Sequence, residues 1–248
     1  MSEINAVLSI QNVSMVFGGL RALDSVTFDV PKGAFYGIIG ANGAGKTTLL
    51  NLITGYFRPT AGSVHFNGVN VTGKAPYQLG KMGMARTFQI TQPFTEMSVL
   101  ENVMTGALYS ANGRRRSVAE AHDFCHEPLR LVGLVDFAHV AAGSLTLGAK
   151  KKLELARVLA TEPKLMLLDE VMGGLTRNEV DEISDVLERI KASSQVTIVM
   201  IEHLVHVITQ LCDHAFVLNF GRELFQGRPD DVIRHPEVIH AYLGKPLD

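Results

Sequence analysis

The chain switches twice between two rhythms of apolar and polar positions. From Val7 to Val30, short apolar runs are broken by polar residues, and Val26-Thr27-Phe28-Asp29-Val30 alternates before Pro31-Lys32-Gly33 turns the chain. A period of two predicts strands with one buried face. Ala34 to Gly40 is rich in apolar residues, as expected of a strand covered on both faces. A glycine-rich loop follows, then a predicted helix from Lys46 to Thr54, and Ser63 to Phe66 reads as a further strand closed by Asn67-Gly68. Between about Thr91 and Glu162 helical periods dominate, over Val99 to Leu108, Val118 to Val132 and Ala149 to Ala160. After Pro163 the strand–helix alternation returns. Leu165 to Leu168 is a short apolar strand, and Arg177 to Lys191 is a helix with Val180, Ile183, Leu187 and Ile190 on one face. Val196 to Ile201 is the next strand, and Ala215–Leu218 and Glu223–Gln226 pair as a hairpin through Phe220-Gly221. There is no internal repeat.

Composition changes this picture little. At 248 residues, 46% hydrophobic and 19% charged, the chain suits one α/β domain or two joined subdomains. Its net charge of −2 carries no basic excess, so no nucleic-acid partner is expected. Cys125 and Cys212 have no paired spacing and read as free thiols of a reducing compartment. The first residues carry no secretory pattern, and the longest apolar stretches are strand-length, whereas a membrane helix needs ~20 apolar residues. A cytoplasmic protein that docks on something spanning the membrane is expected.

Two motifs carry the chemistry. Gly40-Ala41-Asn42-Gly43-Ala44-Gly45-Lys46-Thr47 fits G-x-x-x-x-G-K-[ST], with a buried strand before it and a helix after it. In such a loop the glycines let backbone N–H groups close on phosphate oxygens, and the helix N-terminus adds the positive end of its dipole. Gly40, Asn42, Gly43, Ala44, Gly45, Lys46, Thr47 and Thr48 are thus the expected ATP-phosphate contacts. Lys46 reaches the outer phosphates and the Thr47 hydroxyl ligates Mg²⁺. Leu165-Met166-Leu167-Leu168-Asp169-Glu170 is the second motif. It places carboxylates where a buried strand ends, the usual ligand position of an open α/β sheet. Asp169 is expected to hold Mg²⁺, directly or through water, and Glu170 is the expected general base.

With these residues the chain resembles, over nearly its whole length, the nucleotide-binding domains of ABC transporters. The resemblance implies an α/β P-loop NTPase (RecA-like) core with an N-terminal antiparallel β subdomain and an inserted helical subdomain. Arg86-Thr87-Phe88-Gln89 is similar to the Q-loop, which implies that Gln89 contacts Mg²⁺ and the attacking water and relays nucleotide state to a membrane partner. Ile201-Glu202-His203 is similar to the switch segment, which implies that His203 contacts the γ-phosphate. Phe17 stands where the family places an aromatic ring against adenine. Leu145-Thr146-Leu147-Gly148-Ala149 stands at the signature position, whose usual form is Leu-Ser-Gly-Gly-Gln. Thr146 and Gly148 keep the hydroxyl and the second glycine that cap the γ-phosphate of an opposite subunit, while Leu147 and Ala149 depart from it. Val171 replaces a usual proline, and Thr176 closes Gly174-Leu175-Thr176 where aspartate is common.

Gly83–Gln89, Met97–Val103 and the ending His235–Gly244 narrow the resemblance to importers of branched-chain amino acids and related small solutes. Lipopolysaccharide-export ATPases form the nearest other group. A soluble, non-transport cassette is the remaining alternative; those proteins usually carry two cassettes or long coiled-coil inserts. The implied partners are membrane permease subunits, a second nucleotide-binding domain (the same chain or a paralogue) and, indirectly, a solute-binding protein. The implied position is the inner face of the cell membrane. The expected division is 1–89 for the β layer, P-loop and Q-loop, 90–162 for the helical subdomain with the signature, and 163–248 for the rest of the core and a short tail.

Three other signals read as ordinary surface. His122, Cys125 and His126 supply only three local metal ligands, so they read as a helix face rather than a zinc site. Arg114-Arg115-Arg116 reads as a solvated loop and Lys150-Lys151-Lys152 as surface charge.

Overall fold

The computed structural model describes residues 6–88, 91–109, 111 and 115–243. Along the chain the strands are β1 (Ala6–Phe17), β2 (Leu20–Pro31), β3 (Phe35–Ile39), β4 (Ala61–Phe66), β5 (Val69–Asn70), β6 (Met84–Arg86), β7 (Leu165–Asp169), β8 (Thr197–Ile201), β9 (His214–Asn219) and β10 (Arg222–Gly227). The helices are α1 (Lys46–Ile53), α2 (Pro76–Met82), α3 (Val99–Leu108), α4 (Val118–Val132), α5 (Leu147–Leu159), α6 (Arg177–Ser193), α7 (Val205–Leu211), α8 (Pro229–Arg234) and α9 (Pro236–Leu243). They form two compact units. One comprises the described residues up to Leu79 together with those from Thr197 onward; the other runs from Gly80 to Val196.

In the first unit, β1 and β2 are two strands of 12 residues each where the sequence reads as several short ones. The polar residues that look like breaks are bulges. Asn12 and Ser25 adopt positive φ, and the β1–β2 register shifts there. Hydroxyls take up the displaced amides: Asn12 N–H donates to Thr27 Oγ1 and Ser25 N–H to Ser14 Oγ, both at 2.9 Å. A bulge of this kind bends the ladder without ending it. Together with β4 and β5 these strands form an antiparallel sheet in the order β2-β1-β4-β5.

The same unit holds three parallel strands. β3 lies between β8 and β9 and runs parallel to both, while β9 and β10 form the expected hairpin. Every residue of β3 and β8 is buried, which explains why their sequences are nearly continuous apolar runs. Phe220 and Gly221 turn the hairpin with positive φ at both positions, as a two-residue loop between right-twisted strands requires.

In the second unit β6 pairs in parallel with β7, and α3, α4 and α5 pack together beside α6. α3 and α4 each start with a capping box, Ser98 with Glu101 and Ser117 with Glu120, and α4 ends on Gly133 in the left-handed conformation. α6 buries Val180, Ile183, Leu187 and Ile190, the face its sequence predicts, and Val186 as well; each such side chain stabilises by roughly 1.5–3 kcal/mol relative to exposure. α5 begins at Leu147, two residues earlier than its apolar period indicates, so the signature residues form its first turn. Cys125 and Cys212 are both buried, and neither is in a disulfide. Cys125 faces the interior while His122 and His126 of the same helix are exposed.

Candidate functional site

In the first unit, the loop from Gly40 to Gly45 leaves the C-terminal end of β3. Parallel strands flank it on both sides, with Ile38 opposite Ile201 of β8 and Ile39 opposite Val217 of β9. Two glycines are required by close approach. A Cβ on Gly40 would stand 2.4 Å from the Leu218 carbonyl oxygen, and one on Gly45 would stand 2.8 Å from the Ala22 carbonyl oxygen. Gly45 is also the N-cap of α1, at φ 105° and with no side-chain cap, so the first amides of that helix are left to an anion. Lys46 is 6% exposed, and its Nζ donates to the Gly40 and Ala41 carbonyls at 2.7 and 3.1 Å, curled around the loop. Thr47, Asn42 and Gly43 are exposed, Thr48 is half-buried and Ala44 is buried.

The loop has a support that its motif does not announce. Gly221, in the β9–β10 turn, donates its N–H to the Ala44 carbonyl, and its own carbonyl accepts from Asp24 N–H, both at 2.8 Å. The Asp24 carboxylate binds Arg21 at 2.8 Å and Arg222 at 2.6 Å. The Arg21 bond first, and that from Arg222 second, holds its pKa below the ordinary value.

Phe17 ends β1 just before the Gly18-Gly19 turn and is 40% exposed. Phe57 meets it edge-on, with ring centroids 5.4 Å apart and planes at 75°, and thereby fixes the ring that the resemblance assigns to adenine. The sequence gives no local sign of Phe57. His203 is exposed two residues after the end of β8, and Glu202 before it is buried.

In the second unit, Asp169 is the last residue of β7 and is 5% exposed. Two residues of the Arg86–Gln89 segment hold it. Arg86 Nη2 donates to Asp169 Oδ2 at 2.8 Å, and Thr87 Oγ1 accepts the Asp169 N–H at 3.2 Å. Glu170 follows at φ 48°, a left-handed conformation uncommon for a residue with a side chain and often kept at functional positions. Gln89 lies outside the described residues, but both sides of it are fastened to α5. Glu154 Oε1 accepts the Phe88 N–H at 2.7 Å, and Arg157 donates to the Gln92 carbonyl at 3.2 Å. Burial pushes the Glu154 carboxyl above its ordinary pKa, against the Phe88 N–H and the charges of Lys151 and Arg157.

Thr146 is the N-cap of α5, its Oγ1 accepting the Ala149 N–H at 3.3 Å. Gly148 is buried under Glu179, and a Cβ there would stand 2.8 Å from Glu179 Oε1. Glu179 closes a capping box with Thr176, whose N–H and hydroxyl reach Oε2 at 2.9 and 2.8 Å. The Thr176 N–H, the Thr176 hydroxyl and, more weakly, the Gly148 amide hold its pKa below the ordinary value. Thr176 therefore does locally what an aspartate in its place would do, since both are good helix N-caps.

Glycines that admit no Cβ, an uncapped helix start and an inward-curled lysine fit a chain of phosphates. The Thr47 hydroxyl and the Asp169 carboxylate are hard oxygen donors of the kind Mg²⁺ takes.

Residues 23–173 match the ABC transporter family. The high-affinity branched-chain amino acid transport ATP-binding protein BraF of Pseudomonas aeruginosa is 34% identical over 250 residues, covering 96% of this chain and 98% of BraF. LivG of Escherichia coli, of the same description, is 34% identical over the same shares of both chains. The probable LivG of Methanocaldococcus jannaschii is 31% identical over 99% of this chain and all of its own. Among solved structures, an ATP-binding cassette of an ABC transporter in its ADP conformation superposes with a TM-score of 0.87 at 33% identity, over 97% of this chain and 99% of that one. A nucleotide-free cassette from an ABC transporter gives 0.83 at 30% identity, over 97% and 100%. The fold, the phosphate loop and these relatives lead to one conclusion: the chain belongs to the ABC transporter family, as an ATP-binding cassette with the family's ATPase activity.

Proposed function

We propose that this cassette powers the import of a branched-chain amino acid, or a closely related small solute, through separate permease subunits. The observation that carries this reading is the phosphate cradle at the end of β3, taken with near full-length similarity to BraF and LivG. Among the described residues no helix is long and apolar enough to cross a membrane, so this reading seats the chain peripherally on the inner face, beneath its permease. The division into 1–89, 90–162 and 163–248 belongs to the same reading.

Lys46, Thr48 and the amides of Gly43 to Gly45 bind and orient the triphosphate, with Gly40, Asn42 and Ala44 shaping the loop around it. Phe17, backed by Phe57, stacks on adenine. Thr47, Asp169 and Gln89 hold Mg²⁺, which supplies electrostatic stabilisation of the phosphates when bound. Glu170 orients a water in line with the γ-phosphate and accepts its proton, and His203 contacts the γ-phosphate oxygens. Thr146 and Gly148 reach the ATP of a second cassette, so the working form is a pair. Closure and reopening of that pair move the permease.

Proteoliposomes carrying cognate permease subunits, with a solute-binding protein outside and Mg-ATP inside, test the reading. Labelled leucine, isoleucine or valine should accumulate with the parent chain and not with the Glu170→Gln chain. Retained ATPase with no uptake of any of the three would remove the solute assignment.

A further inference from the structure

Arg86 belongs to a segment singled out for Gln89, yet nothing assigned so far gives the arginine itself a task. It lies at the end of β6, beside β7, with Arg86 opposite Leu167 in the parallel register. That register carries its guanidinium to the end of β7, onto Asp169 Oδ2 at 2.8 Å. Both side chains are withdrawn from solvent, at 10% and 7% exposure, so water screens the pair weakly. The cost of burying such a pair is commonly as large as its attraction, so stability alone is a poor reason for it. A leucine or methionine pair would close the end of β7 as well.

The pair has a direct consequence for the metal. We propose that Arg86 is a positioning residue that acts as the resident counter-cation of Asp169 and sets how readily the carboxylate takes a divalent cation. This rests on the reading of Asp169 as a Mg²⁺ ligand. With a guanidinium on Oδ2, an arriving cation meets a carboxylate already neutralised on one oxygen and a positive charge in its neighbourhood. Nucleotide phosphates bring the negative charge that offsets that repulsion. The ion is therefore held together with nucleotide and weakly without it. Arg86 also engages one carboxylate oxygen, Oδ2, while the Thr87 hydroxyl accepts the Asp169 N–H and holds the backbone beneath it.

Manganese, the paramagnetic substitute for magnesium, gives a readout independent of turnover. Free Mn²⁺ is titrated by electron paramagnetic resonance against the full-length chain, with and without ADP. The parent should bind Mn²⁺ far more tightly with ADP than without. Arg86→Gln should raise the Mn²⁺ affinity of the ADP complex about tenfold, which is well under what two unit charges about 4 Å apart give at an effective dielectric of about 20. The same variant should also show Mn²⁺ binding without ADP. Arg86→Lys, which keeps the charge, should stay within a few-fold of the parent. Arg86→Met replaces Arg86→Gln should the latter fail to fold, as judged by thermal melting. Unchanged or weakened Mn²⁺ binding in the folded charge-free variant overturns the proposal. Asp169→Asn separates the two levels. If it weakens Mn²⁺ binding while Arg86→Gln does not strengthen it, Asp169 stands as the ligand and Arg86 is structural. If it leaves Mn²⁺ binding untouched, the ligand assignment itself falls, and the proposal with it.

Discussion

The carboxylate of Glu154 accepts the backbone N–H of Phe88 at 2.7 Å, fastening the helix that starts at the signature segment to the residue before Gln89. A buried glutamate is an expensive way to satisfy one amide. Its Oε2 has no hydrogen-bond partner among the described residues, and burial raises its pKa.

That raised pKa has a definite sign in stability. A carboxyl that binds its proton more tightly when folded favours the folded state most at low pH. It loses that contribution as pH rises from the ordinary glutamate value through the raised one. Glu154→Gln keeps an acceptor for the Phe88 amide and removes the buried charge. Relative to the parent, this variant should therefore gain stability as pH rises from about 4 to 7. Urea midpoints across that range check it. A gap that narrows or reverses with rising pH would show that Lys151 and Arg157 outweigh burial.

Lys46→Ala should lose most Mg-ATP affinity, because the lysine offsets phosphate charge that backbone amides offset only in part. Gly40→Ala should lose it for a different reason, a Cβ 2.4 Å from the Leu218 carbonyl. The two separate by thermal melting. Lys46→Ala should melt near the parent, whereas Gly40→Ala should melt lower by several degrees, consistent with a loss of about 1–3 kcal/mol from overpacking. Isothermal titration that finds parent-like affinity in Lys46→Ala would remove the phosphate-loop assignment.

Gly148→Asp tests whether the signature acts on a partner's nucleotide. The structure adds a local effect to the electrostatic one, since the new side chain must displace the Glu179 carboxylate 2.8 Å away. Gly148→Ala shares that displacement and lacks the charge. Both should bind nucleotide as monomers. Hydrolysis should fall in both and further in Gly148→Asp, where like charge faces a phosphate. Equal rates in the two variants would assign the loss to Glu179 rather than to charge.

What the sequence made legible is what chemistry constrains locally. Gly40 to Thr47 could be read because close backbone approach admits only glycine at fixed spacing. β3, β7 and β8 could be read because parallel strands covered on both faces are apolar throughout. The unread parts depend on partners distant in the chain. Arg86 and Asp169 are 83 residues apart, and Gly221 reaches Ala44 from the far hairpin. Phe57 backs Phe17 from 40 residues along the chain, as a ring contact. β6 is too short, at three residues, to show a period, and Asn12 and Ser25 imitate turns because bulge positions favour the same residue types.

Glu170→Gln measures the central claim most directly. The substitution keeps the size and most hydrogen bonding of the side chain while removing its charge and basicity. Mg-ATP should bind within a few-fold of the parent. Turnover, measured with the permease assembled, should fall roughly 10²–10⁴-fold, the usual share of a general base. The ATP-bound pair should then accumulate. Parent-like hydrolysis in Glu170→Gln would contradict the assignment of the base and with it the reading of β7 as the strand that delivers the catalytic carboxylates.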